Sequence, residues 1–112
     1  MTADLVARIR ALLATETAAV SDRPMFGGVS FFLGDAMVAS ARKGGDLLVR
    51  VAADRHDELA ARPGAAGARM GDRSMGAGWL TVEAEAIVAD ADLAGWLALA
   101  RENAHARARR DG

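Results

Sequence analysis

The hydrophobic period changes partway along this chain, and the change dictates a mixed architecture. Leu5, Val6, Ile9, Leu12 and Leu13 recur at helical spacing and make one apolar face. From Met25 the period is two: Val29, Phe31 and Leu33 alternate with Ser30, Phe32 and Gly34. Side chains repeat every 3.6 residues on a helix and every second residue on a strand, so neither pattern suits the other element. An N-terminal helix followed by a sheet is the consistent reading.

The remaining elements follow from the same rules. Thr2 suits the cap of the first helix and Asp4 its positive end. The apolar pattern fades near Thr15-Glu16-Thr17. Ser21-Asp22-Arg23-Pro24 then predicts a connection, because Pro24 pushes Arg23 out of helical geometry. Gly34-Asp35 predicts a tight turn, Ala36 to Arg42 a second strand, and Lys43-Gly44-Gly45-Asp46 a further turn. Leu47, Val49 and Val51 alternate with Leu48, Arg50 and Ala52 as a third strand. Asp54 is the expected cap of a short helix through about Arg62, with Leu59 inward and Pro63-Gly64 ending it. Ala65 to Gly78 reads as a long loop with a brief strand around Ala68 to Met70. Trp79 to about Val88 returns to strand character, with Leu80, Val82 and Ala84 on one face. Asp90 is the expected cap of a last helix, whose stripe is Leu93, Trp96, Leu97, Ala100 and Ala104. The order α-β-β-β-α-β-(β)-α predicts an α+β two-layer sandwich, an antiparallel sheet with helices on one face.

Length and composition narrow the function classes. The 112 residues suit one domain, spanning 1–112, with a basic C-terminal tail over about 104–112. There are no cysteines, which excludes disulfides and thiolate metal sites and fits a reducing cytoplasm. The start carries no signal-peptide pattern, and no stretch approaches the roughly 20 apolar residues that cross a bilayer. A formal net charge of −1 gives no global case for nucleic-acid binding, so direct contact with DNA or RNA is disfavoured.

Several runs resemble the TfoX N-terminal domain family. They are Arg23-Pro24-Met25-Phe26-Gly27-Gly28-Val29, then Phe32, Gly34 and Met37-Val38-Ala39, then Leu47-Leu48-Val49-Arg50-Val51, and finally Met70, Met75 and Gly78-Trp79-Leu80. The resemblance spans about Leu5 to Arg101. It implies a secretion-chaperone-like α+β fold. Full-length members act as positive regulators of natural competence genes, as cofactors of a DNA-bound transcription factor. They carry a second, helical domain that these residues do not include. The resemblance thus implies a protein partner such as the transcription machinery. A homodimer is compatible with an exposed sheet edge or the Phe26 and Trp79 region.

Several residues carry suggestive chemistry. Phe26-Gly27-Gly28 reads as a structural turn, since phosphate-cradling glycine loops lie between a strand and a helix and this element precedes a strand. In the loop 70–78, Arg69 and Arg73 could hold an anion, and Met70 and Met75 either offer an adaptable surface or tuck into the core. Gly71 and Gly76 lack the Lys-Ser/Thr of a nucleotide-binding loop. His56 and His105, the two histidines, have no second metal ligand at suitable spacing and read as solvated. Glu83 and Glu85 share a predicted wet strand face and read as solubilising. Arg101, Arg107, Arg109 and Arg110 suit the negative end of the last helix.

The expectation is therefore a non-catalytic regulatory or protein-interaction module, without cofactor or metal. Its candidate surface comprises Arg23, Met25, Phe26, Gly27, Gly28, Arg50, Arg69, Met75 and Trp79. The alternative is a small-molecule or phosphate-binding domain, or an enzyme, using loop 70–78. That alternative predicts a concave pocket in which Arg23, Arg50, Arg69 or Arg73 converge.

Overall fold

A computed structural model describes residues 2–16, 20–25, 28–42 and 44–111, with the side chains of 2, 3, 108, 110 and 111 outside the description. Helix α1 is Thr2–Leu13. Strands β1 (Val20–Met25), β2 (Gly28–Leu33), β3 (Ala36–Ala41) and β4 (Leu47–Arg50) follow. A 3₁₀ turn, Ala53–Arg55, leads into α2, His56–Ala60. Strands β5 (Ala65–Gly67), β6 (Arg69–Met70), β7 (Arg73–Ser74) and β8 (Trp79–Val82) come next. A second 3₁₀ turn, Ala84–Ile87, precedes α3, Asp90–Asp111.

Six strands form one antiparallel sheet in the order β1-β2-β3-β4-β8-β5, and β6 pairs with β7 as a separate hairpin. The expected α+β sandwich is what the chain adopts. Its principal core joins the apolar faces of α1 and α3 and Leu59 of α2 to one side of the sheet. Phe31, Ala39, Val49 and Leu80 supply that side. All three helices thus contribute to the same layer. The opposite side carries a smaller cluster, Phe32, Met37, Leu48 and Ala68, against which Met25, Met75 and Trp79 pack. None of those residues comes from a helix.

The local rules failed where a residue's surroundings differ from its sequence pattern. Ser21-Asp22-Arg23-Pro24 is part of strand β1, not a connection. The strand is almost wholly exposed at the sheet edge, so it carries no apolar alternation, and an edge tolerates the missing N–H of Pro24. Asp54 does not cap α2: it lies inside the 3₁₀ turn, whose N-cap is Ala52 without a side-chain bond. Asp90 lies within the first turn of α3, and the Ala89 carbonyl accepts the N–H groups of Asp92 and Leu93. Strand β8 stops at Val82, so Glu83 and Glu85 share no strand face. Both are exposed. The long loop contains three short strands: β5 pairs with β8, and β6 with β7. The basic tail is helical, because α3 continues to Asp111.

A register shift between Phe31 and Phe32 leaves Val38 as an extra residue in β3. This bulge lets Val38 and Ala39 both face the principal core and turns Met37 to the other side with Phe32.

Candidate functional site: the helix-free sheet face and the adjoining cavity

Alternation along the strands brings most of the sequence-selected residues to one place. Arg23 of β1 lies across the ladder from Ser30, and its guanidinium stacks 4.6 Å from the centroid of the Phe32 ring. Arg50 and Trp79 are cross-strand partners in β4 and β8, with the guanidinium 4.9 Å from the indole centroid. Met25 and Met75 pack on the same smaller cluster. Beneath them Ser30 and Ser40, both fully buried, share a hydroxyl hydrogen bond of 3.2 Å, and Ser40 also donates to the Val29 carbonyl. Guanidinium–aromatic stacking is favourable because the ring face is electron-rich, and it leaves each arginine's outer edge able to donate.

Two glycines have structural roles here. A Cβ at Gly28 would fall 1.9 Å from the Ala41 carbonyl oxygen, so only glycine permits this approach of β2 to β3. Gly78 has φ +92, and a Cβ there would meet the Val51 carbonyl oxygen at 2.6 Å. The Gly78 N–H donates to His56 Nδ1 at 2.9 Å, while its carbonyl accepts from the Val51 N–H at 2.7 Å. These bonds fix the turn that delivers Trp79. His56 is accordingly a half-buried acceptor and not a solvated side chain. Phe26 and Gly27 lie outside the described residues.

The hairpin behaves differently from its sequence expectation. Arg69 is exposed and donates to the Asp72 carbonyl, and Arg73 is also exposed. Met75 is half-buried, but Met70 is 55% exposed. Arg23, Arg69 and Arg73 do not line the cavity that Arg50 lines.

Of these four, Arg50 does line a cavity, at the end of β4. This space of about 560 Å³ lies between the β4–α2 segment and α3. Arg107, Asn103 and Glu102 of α3 line it, with Asp54 and Arg55 opposite. Val51, Leu59 and Leu99 give it apolar wall. Burial, and then the charge of nearby Arg107, lower the pKa of the Arg50 guanidinium. Arg55 is paired to Glu58 at 2.8 Å. In the sequence Arg107 suits the negative end of the helix dipole, and nothing local marks Asn103. The missing signal is that α3 extends far enough to face β4.

A second buried node ties α1 to α3. Glu16, whose side chain is 6% exposed, bonds Arg101 Nε and His105 Nε2, each at 2.9 Å. His105, though its side chain is 43% exposed, and Arg101 are therefore partners of a buried carboxylate. Burial opposes ionisation of Glu16, but His105 and Arg101 outweigh it and hold the pKa below its ordinary value. Among the described residues, no group of three or more His, Asp or Glu side chains could hold a metal ion.

These features define a class: an α+β domain with its helices on one side of the sheet and an arginine–aromatic surface on the other. The chain belongs to the TfoX N-terminal domain family, whose model matches residues 11–104. No curated protein and no solved structure is a significant match.

Proposed function

We propose that this domain is a non-catalytic protein-interaction module of the competence-regulator type, which contacts a protein of the transcription machinery through its helix-free sheet face. The observation that carries the reading is the pair of stacks, Arg23 on Phe32 and Arg50 on Trp79, flanked by Met25 and Met75. Arginine, tryptophan and methionine are enriched in protein interfaces, and arginine and tryptophan dominate their binding energy. Here they stand on a sheet, so little ordering entropy is lost on binding. Family membership supports the regulatory role. Absence, among the described residues, of a helix long and apolar enough to cross a membrane is compatible with action in the cytoplasm.

The open edge of β1 supports a homodimer as an additional arrangement, since an exposed strand can pair with a second copy. Sedimentation equilibrium reads this directly.

The test is affinity capture from native extract with wild type, Trp79→Ala and Arg23→Glu, each first checked for a cooperative melt. A transcription-associated protein held by wild type and lost by both folded variants supports the reading. Equal capture by all three removes this face as the contact surface.

A further inference from the structure

We propose that the cavity between β4, α2 and α3 binds a small organic anion, one carboxylate or phosphate head on an apolar body, through Arg50, Arg107 and Asn103. Three donor-bearing side chains line the cavity, and among the described residues none of them has a hydrogen-bond acceptor. Arg8, Arg10, Arg55 and Arg101 each have a carboxylate partner. Arg50 and Arg107 have none among the described residues. Both line the cavity, where burial and then the charge of Arg107 lower the pKa of Arg50. An oxyanion seated between two guanidiniums relieves that repulsion and accepts charge-assisted hydrogen bonds from both.

Asn103 is the independent observation. It is 8% exposed and lines the cavity, yet its side-chain amide makes no hydrogen bond among the described residues. An amide that lines a cavity without a protein partner is free to donate to a ligand oxygen. Among the described residues, no side-chain polar atom is both sealed from solvent and unpartnered, so the Asn103 amide, which lines the cavity, stays reachable by water or a ligand.

The rest of the wall selects among anions. Val51, Leu59 and Leu99 suit an apolar body, and about 560 Å³ is within the usual range of metabolite pockets. Asp54 and Glu102 also line the space, and both act on Arg55. Their negative charge disfavours a polyphosphate that fills the cavity. A single anionic head at the Arg50–Arg107 end is the fit. The site is distinct from the partner surface except that Arg50 serves both.

Benzoate and phenyl phosphate, with benzyl alcohol as the neutral analogue and ATP as the polyanion, test this by calorimetry on the intact chain. Trp79 fluorescence in a Trp96→Phe background reports on Arg50, which stacks on that indole. Saturable binding of benzoate, phenyl phosphate or both, with neither benzyl alcohol nor ATP competing, is expected. Benzoate alone would assign the head as a carboxylate, and phenyl phosphate alone as a phosphate. Arg107→Gln and Asn103→Asp should each weaken binding by about tenfold or more, the scale of a lost hydrogen bond to a charged group. Arg73→Gln, on the exposed hairpin, should leave it unchanged. No saturable binding of either anion, binding of benzyl alcohol or ATP as tight as that of the anions, or binding that survives Arg107→Gln in a folded protein, would overturn the proposal. Loss of partner capture by Trp79→Ala would not affect these outcomes.

Discussion

Gly28 shows how one missing methyl group can decide a strand pairing. The nearest atom to an added Cβ is backbone, the Ala41 oxygen at 1.9 Å, and backbone cannot swing aside as a side chain would. Gly28→Ala should therefore cost about 2 kcal/mol, the usual scale of overpacking. Urea unfolding checks it, and an unchanged midpoint would contradict the close approach. Glu16 makes a different kind of prediction. Its folded pKa is lowered, so its contribution is complete above the unfolded value of about 4.3 and is lost as pH falls through the lower folded value. Glu16→Gln should destabilise the protein at neutral pH. The difference between the two proteins should close as pH falls below about 4, because the native carboxyl then becomes neutral as well. Thermal melts across that range test the sign; a gap that widens on acidification would reverse it.

At the scale of elements, α3 carries more than its sequence suggested. Ala104 is buried, His105 bonds Glu16, and Ala106 and Arg107 close the cavity. Truncation after Asn103 should thus destabilise the domain by about 1–3 kcal/mol, the scale of a core contact plus a buried hydrogen bond. Circular dichroism during heating would show it; an unchanged melting temperature would make these last turns a dispensable tail. The elements legible in the sequence are those whose pattern survives in their packing: α1 and the stripe of α3 have one wet and one dry face, and β2 keeps its alternation although Phe31 is covered by the helices and Phe32 by the smaller cluster. Strand β1 was hidden because it is exposed nearly throughout, and β6 and β7 because two residues establish no period. Ala84–Ile87 looked like more strand because Leu80, Val82 and Ala84 continue the alternation, although the backbone has already turned. The site was partly legible. Arg23, Met25, Arg50, Met75 and Trp79 are each recognisable in the sequence as candidates, and they share a face. Phe32 joins them by the alternation of β2 and Met37 through the bulge, and no local pattern reveals a bulge of this kind. Asn103 and Arg107 meet Arg50 only through the packing of α3 against β4.

The whole molecule separates what holds it together from what it offers to a partner. Phe31 and Phe32 are neighbours in sequence, yet they belong to different clusters on opposite sides of the sheet. Phe31 is fully buried among the helices' apolar residues, so Phe31→Ala leaves a cavity in the principal core and should cost about 3–5 kcal/mol. Trp79 is half-buried in the smaller cluster, with its ring accessible to the Arg50 guanidinium. Its removal strips less apolar area from water contact, so Trp79→Ala should cost about half as much. Partner capture should rank the two variants the other way. A folded fraction of Phe31→Ala retains the arginine–aromatic surface and should bind, whereas fully folded Trp79→Ala should not. Measuring chemical stability and capture on the same preparations decides the matter. If capture simply followed stability for both variants, the helix-free face would be a second structural layer and the contact surface would have to lie elsewhere.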